Sequence, residues 1–346
     1  MEVGFDVTPL VRTMPRGVER VARGLVEALE RRGNLGVVRL APEPGEELRG
    51  WRWRGIAREV RERGLAGVHS FFSAFPWRAP CRRVQTIHEL PWLSGVSENA
   101  DLRHRLWAKL GARFADAVVC PTEHVAKAAN RYALGGGKAR AIHWGVGERF
   151  TVEPPPGVVD EALIERYRLG EDPFALCLGA VREKKNLAAV LNGLAALRDR
   201  RTHTLRVFVT GEDTPQLRRD LGLASKLGLA RWVQTLGDVD EADLPGLLRL
   251  ASVVPVLSRS EGFGLPALEA LACGTPVLVP PDSAQAEVAG EHGIVADPGD
   301  PEAVANGLAR ALDEREALRY VLPTRAAELS WDACAAKVEA LWKEIA

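Results

Sequence analysis

Short apolar runs alternate with stretches of helical period along almost the whole chain. In the first half the runs are Val3–Val7, Val37–Leu40, Gly67–His69, Val84–Ile87, Ala117–Val119 and Ala141–His143. Runs of this length, bounded by turn residues, read as buried strands. Gly17–Arg32 and Asp101–Phe114 carry apolar positions at helical spacing between them. The pattern breaks over residues 151–172, where T-V-E-P-P-P-G predicts an extended linker, because three consecutive prolines favour an extended backbone. A second alternation follows, with strands expected at Phe174–Leu178, Leu205–Val209, Trp232–Leu236, Val253–Val256, Val277–Val279 and Gly293–Ala296. Helices are expected at Asn186–Arg198, Leu217–Lys226, Asp243–Leu250, Glu302–Glu314 and, closing the chain, Trp331–Ile345.

Strands alternating with helices predict βαβ units and parallel sheets. The expected fold class is therefore α/β, with two Rossmann-like doubly wound domains over residues 1–155 and 156–330 and a closing helix over 331–346. Open sheets of this kind bind ligands beyond the carboxyl ends of their strands, so the strand-end loops are where chemistry is sought, in a cleft where the two domains meet.

Composition narrows the class without naming a reaction. The chain has 346 residues, 46% hydrophobic and 27% charged, the balance of a globular enzyme. No apolar run approaches the roughly 18–20 residues that span a bilayer. The first residues enter a strand-like V-G-F-D-V with no secretory n-region, so a cytoplasmic protein is expected. Five scattered cysteines, odd in number and without a C-x-x-C pair, point to free thiols and away from a zinc site. Charge is unevenly spread: residues 1–150 hold 25 Lys/Arg against 16 Asp/Glu, a net of +9, and residues 151–346 hold 21 against 30, a net of −9. A basic half suits an anionic partner such as a lipid-phosphate acceptor or the inner face of a membrane; a chance imbalance of two solvated surfaces is the other reading.

The strongest chemical signal is S-E-G-F-G-L-P-A-L-E-A-L-A-C-G-T-P-V, Ser260 to Val277. It reads as a glycine-flanked loop running into a helix. Pro266 suits the first turn, Leu265, Leu268, Leu271 and Ala272 supply an apolar face, and Gly274 provides a stop. Glu261 then lies in the loop, and Glu269 about one turn inside the helix. The helix N-terminus with the amides of Gly262 to Gly264 forms an anion site. Two carboxylates beside an anion site suit a ligand that carries both phosphate and hydroxyls, and a sugar nucleotide carries both.

This segment resembles the C-terminal signature of the retaining glycosyltransferases of family 4, which have the GT-B fold. The order of features resembles that family from Asp6 to Trp331. The resemblance implies two Rossmann-like domains, an acceptor bound mainly by the first, a nucleoside-diphosphate sugar bound mainly by the second, and a last helix that crosses back to the first. It implies that Glu269 accepts hydrogen bonds from ribose hydroxyls, while Glu261, Gly262, Phe263, Gly264 and Leu265 hold the sugar. In C-L-G-A-V-R-E-K-K-N-L, Cys177 to Leu187, Lys185 matches the family's phosphate-binding lysine. The arginine that often follows the glycine is replaced by Ala180, leaving Arg182 or Lys184 to supply the second contact. In V-Q-T-I-H-E-L, Val84 to Leu90, His88 stands at a strand end where the family has His-Asp-Leu; here Glu89 replaces the aspartate. His88 and Glu261 are the expected catalytic pair. Gly17, before the first long helix, is expected to let the loop backbone approach the phosphates or the acceptor. Thr122 stands where the family has serine, or caps a helix.

The resemblance implies no cofactor and no metal, with a GDP- or UDP-sugar as substrate and a glycan or lipid-linked acceptor as partner. Lack of the arginine at Ala180 makes GDP-mannose the favoured donor. A sugar-nucleotide 2-epimerase and a non-catalytic sugar-nucleotide-binding protein are the alternatives. Asp238-Val239-Asp240 matches a metal-binding D-x-D but is read as a turn and cap, and Gly135-Gly136-Gly137-Lys138 lacks the spacing of a P-loop. His69, His124 and His143 show no metal-ligand spacing. Arg49 to Gly55 mixes Trp51 and Trp53 with arginines, and Leu102, Leu106, Leu110 and Phe114 run beside Arg103, Arg105, Lys109 and Arg113. The leucine stripe is read as core-facing with its basic flank in solvent. Peripheral contact with an anionic membrane is the alternative, and no nucleic-acid motif accompanies these residues.

Overall fold

A computed structural model describes residues 1–77, 79–96, 102–133, 137–200 and 204–346. The predicted helix start at Asp101, and Gly135 and Gly136 of the glycine run, lie outside the described residues. The chain divides into two compact units, Met1–Gly145 with Leu329–Ala346, and Val146–Glu328.

The first unit is built on a six-stranded sheet: β1 (Glu2–Asp6), β2 (Gly36–Leu40), β3 (Gly67–Ser70), β4 (Arg82–Thr86), β5 (Ala117–Cys120) and β6 (Ala139–Ala141), in the order β2-β1-β3-β4-β5-β6. β3 and β5 are buried at every residue, as expected of strands covered on both faces. The strand order reverses between β1 and β3, which makes the loops after these two strands the natural ligand end of this sheet. His69 on β3 is fully buried against the rings of Phe5 and Phe71, and burial pushes its pKa down to about 3.

The second unit holds β7 (Phe174–Cys177), β8 (Arg206–Thr210), β9 (Val233–Gly237), β10 (Val254–Pro255), β11 (Val277–Val279) and β12 (Ile294–Val295). β7-β8-β9 and β10-β11-β12 form two ladders, joined where Ala175 pairs with Val253 in parallel. The order across the join is β9-β8-β7-β10-β11-β12, the doubly wound order with its reversal between β7 and β10. Every named strand pair among the described residues is parallel. The proline-rich segment is tied into this unit. Asp160 takes a double hydrogen bond from the buried Arg249 guanidinium, at 2.6 and 2.8 Å, and Arg249 also donates to the Thr151 carbonyl.

The closing helix, Trp331–Ile345, packs on the helix Arg16–Arg32 within the first unit. Arg32 grips Glu339 through two nitrogens at 2.9 and 3.1 Å, and Asn34 adds a third bond to the same carboxylate. Trp342 is fully buried.

Two expectations are corrected, and the membrane alternative is narrowed. The stripe on Leu102–Phe114 does not face the core: Leu102, Leu106 and Phe114 are exposed, Leu110 is half-buried, and the buried residues are Ala108, Gly111 and Ala112. The small residues win because the helix lies close on β4. A Cβ on Gly111 would stand 2.2 Å from the Gln85 amide nitrogen, which bonds the carbonyls of Ser73 and Trp107. Trp51 is buried, with its indole N–H donated to Asp6 at 3.2 Å, so of the two tryptophans only Trp53 reaches the surface. Gly17 is the second residue of its helix rather than part of the loop before it.

Candidate functional site

The reversal between β7 and β10 is where the chemistry-bearing residues of the second unit gather. After β7 the chain turns at Gly179, whose N–H is donated to the Thr210 hydroxyl at 2.9 Å. A single 3-10 turn, Glu183–Lys185, follows, and Asn186 adopts a left-handed conformation, φ 56°, before the helix Leu187–Asp199. Asparagine tolerates that backbone, and its side-chain amide is donated to the Leu257 carbonyl at 3.2 Å. The Asn186 bond anchors the turn to the loop after β10. A second tie comes from the Arg259 N–H, donated to the Lys184 carbonyl at 2.8 Å.

These ties bring Lys185 and Glu261 together. The Lys185 ammonium is 2.8 Å from Glu261 Oε1, across 76 positions of sequence. Burial works against an ionised carboxylate there. The Lys185 and Lys184 charges, with hydrogen bonds from Lys185 and Ser258, outweigh it and hold Glu261 below its usual range. Arg182, Lys184, Lys185 and Arg259 against Glu183 and Glu261 leave the two loops cationic. An ammonium has three donors, and one is used on Glu261, so Lys185 can also meet a phosphate oxygen. Arg182 is exposed and precedes the turn, while Lys184 is half-buried within it.

Glu261 is followed by buried Gly262, Phe263 and Gly264, the last at φ 93°. The helix Leu265–Ala272 then begins with Leu265 and Pro266 at its start. Glu269 is its fifth residue and only 3% exposed. Behind the loop, Gln285 donates to the Ser258 carbonyl at 3.1 Å. A cavity of about 30 Å³, enough for about one water, is lined by Gly179, Lys185, Ser258 and Pro266. A larger cavity of about 600 Å³ opens at the other end of the sheet, beside Pro173, Leu205 and Trp232, and holds none of the site residues.

His88 and Gly17 belong to the first unit. β4 ends at Thr86, so His88 lies two residues beyond it. Its Nε2 is donated to the Phe71 carbonyl at 2.8 Å, on the loop after β3, and its ring lies 6.0 Å from that of Trp144. Because a carbonyl only accepts, Nε2 carries the hydrogen and the neutral ring keeps Nδ1 as an acceptor. Burial pushes the His88 pKa down, partly offset by the Phe71 bond, so the ring is neutral at pH 7. It can receive a hydroxyl hydrogen bond. Gly17 has open space where a Cβ would stand.

Thr122 caps the helix Glu123–Tyr132 by accepting from the Val125 N–H at 3.3 Å. Asp240 accepts from the Ala242 N–H, which makes the expected turn but not the expected cap, because the helix Leu244–Leu250 begins after Asp243 with no side-chain cap bond. No metal-binding cluster of His, Cys, Asp or Glu is found among the described residues.

The sequence reading missed Thr210, Ser258, Gln285 and Gly211. Gly211 follows β8 at φ 102°, and a Cβ there would lie 2.6 Å from the Ala180 nitrogen. Only glycine fits both the backbone and the space. Gly211→Ala is expected to push the Gly179 loop away, raising the dissociation constant for a nucleoside-diphosphate sugar by about tenfold or more, on roughly 1–3 kcal/mol of strain. Calorimetric titration checks this; wild-type affinity in the variant would show that the loop position does not matter.

Residues 160–325 match the family model described as Glycosyl transferases group 1, and residues 34–148 that described as Glycosyltransferase Family 4. O-antigen chain mannosyltransferase B of Escherichia coli is 30% identical over 179 residues, 50% of this chain and 46% of that protein. The chain spans less than half the length of the first curated relatives it matches. Sucrose-phosphate synthase of Thermosynechococcus elongatus superposes with a TM-score of 0.77 at 20% identity, covering 99% of this chain and 98% of that one. Anabaena HepE, solved in complex with UDP-glucose, gives 0.75 at 16% identity, covering 99% and 100%. The likeness to these structures carries the fold, which is the GT-B fold.

Proposed function

The chain belongs to the family 4, group 1 glycosyltransferases, and on that footing we propose that it is a retaining enzyme that moves a sugar, with mannose favoured, from a nucleoside-diphosphate sugar to a glycan or lipid-linked acceptor. Cell-envelope polysaccharide or glycolipid synthesis is the process this suits. The observation that carries the reading is the Lys185–Glu261 pair at the reversal of the second sheet, followed one short loop later by Glu269. Mannose is favoured because the relatives include an O-antigen chain mannosyltransferase and a serotype-specific mannosyltransferase.

In this reading Lys185, with Lys184 or Arg182, meets the diphosphate. The bond from the anomeric carbon to the diphosphate breaks, and that carbon gains oxocarbenium character. The leaving oxygens gain negative charge, which fixed cations stabilise most in the transition state. The acceptor oxygen bonds the same face, and its proton passes to the departing phosphate. Glu261 and the Gly262–Leu265 run orient the sugar, Glu269 receives ribose hydroxyls, and the Nδ1 of neutral His88 receives a sugar hydroxyl. No metal has a part in this chemistry.

Incubation with GDP-mannose and UDP-glucose, with nuclear magnetic resonance of the anomeric proton, tests the reading. Release of GDP, an α-linked product from the α-linked donor, and equal rates with and without EDTA are expected. A β-linked product would overturn retention. Loss of activity in EDTA that manganese restores would overturn the metal-free reading and return Asp238 and Asp240 to consideration.

A further inference from the structure

The exposed face of the helix Leu102–Phe114 is chemically unusual for a surface that meets only water. Leu102 is 83% exposed and Leu106 51%, one turn apart on one side. Leu110 continues the row, half-buried, and Phe114, 37% exposed, ends it. Arg103, Arg105, Lys109 and Arg113 are exposed around this row, and the helix carries no acidic residue. A single exposed leucine is ordinary; a row of them ringed by one sign of charge is not.

The patch extends beyond the helix. Trp53 is 53% exposed, and its ring lies 5.9 Å from that of Trp77 and 6.0 Å from that of Trp107. Trp77 stacks on Phe114 at 4.8 Å. The aromatic cluster thus joins the exposed Trp53 and Arg54 to the helix. On another flank Arg105 lies over Trp92, next to Leu93, which is 49% exposed. Apolar tips, amphipathic rings and basic side chains share one surface of the first unit. This is the arrangement of an element that lies in a lipid interface, with rings and leucines among the acyl chains and guanidinium groups at the phosphates.

We propose that this surface docks the protein on an anionic lipid bilayer, with the helix Leu102–Phe114, about 20 Å long, lying in the membrane plane. Charge decides the occupant. A second copy presenting the same face would set four cations against four, which like-charge repulsion opposes. Anionic headgroups complement them. Attachment through this face rests on one amphipathic helix and its basic flank, so it is peripheral and salt-sensitive. The inference does not rest on the glycosyltransferase reading, because lipid binding is measured without turnover.

The test is co-sedimentation of the full chain with vesicles of phosphatidylcholine alone and of phosphatidylcholine mixed with phosphatidylglycerol. Binding to the anionic vesicles is expected to exceed that to the neutral ones by about tenfold at low salt and to fall as salt rises. Lys109→Glu with Arg113→Glu is expected to abolish the preference. Leu102→Ser with Leu106→Ser is expected to lower binding at every salt concentration, with an unchanged melting temperature. Equal binding to both vesicles, or none to either, would overturn the proposal. So would a dimer in sedimentation equilibrium that the serine variant dissociates, which would assign the face to a second copy.

Discussion

Lys185→Ala is expected to weaken binding of a nucleoside-diphosphate sugar by about 10- to 150-fold, the worth of a charge-assisted hydrogen bond to a phosphate. The same change strips Glu261 of the cation that most strongly holds its carboxyl down. Its pKa then rises, and the acid limb of the activity profile moves to higher pH. Glu261→Ala is expected to lower kcat by about a hundredfold with a smaller change in donor affinity, because it acts on the reacting sugar. Glu269→Ala is expected to do the reverse, raising the dissociation constant with less effect on kcat. Titration calorimetry and steady-state kinetics on the three variants separate these effects. Wild-type kinetics in both glutamate variants would remove these residues from the site.

Trp342→Ala is expected to cost about 3–5 kcal/mol of stability, the range for deleting a large buried aromatic. Trp342 is 0% exposed and fills the space above Gly67 of β3, where a Cβ would stand 2.2 Å from its ring. Gly67→Ala should therefore reproduce part of the loss by pushing the same ring outward, at about 1–3 kcal/mol. Thermal and urea melts decide the matter. Wild-type midpoints in the alanine variant would mean that the closing helix contributes little to the first unit.

The strands were legible because buried parallel strands are written as continuous apolar runs. The twelve expected runs each overlap a strand, with ends shifted by up to two residues, although Ala141–His143 meets its strand only at Ala141. Several shorter helices escaped, among them Ile56–Arg63, Glu123–Tyr132 and Ala284–Ala289. These bury alanines or only a few larger residues, which periodicity barely registers. The orientation of Leu102–Phe114 was misread for a related reason. Leucines signal burial in a pattern, but close packing on Gln85 selected Gly111 and its small neighbours. In the site, Lys185 and Glu261 stood out through their local motifs, while their pairing across 76 positions needed the fold. Thr210 and Gln285 act through bonds to distant backbone, which nothing local in the sequence marks, and Ser258 acts on the Glu261 carboxylate three residues on, outside the motif that drew attention.

Calorimetric titration of the chain with GDP-mannose, UDP-glucose and the free diphosphates tests the donor site without needing the acceptor. Saturable binding of one nucleoside-diphosphate sugar per chain is predicted, weakened by Lys185→Ala and by Glu269→Ala in protein that melts like the wild type. Absence of binding for every nucleoside-diphosphate sugar, or binding that ignores both substitutions, would contradict the account.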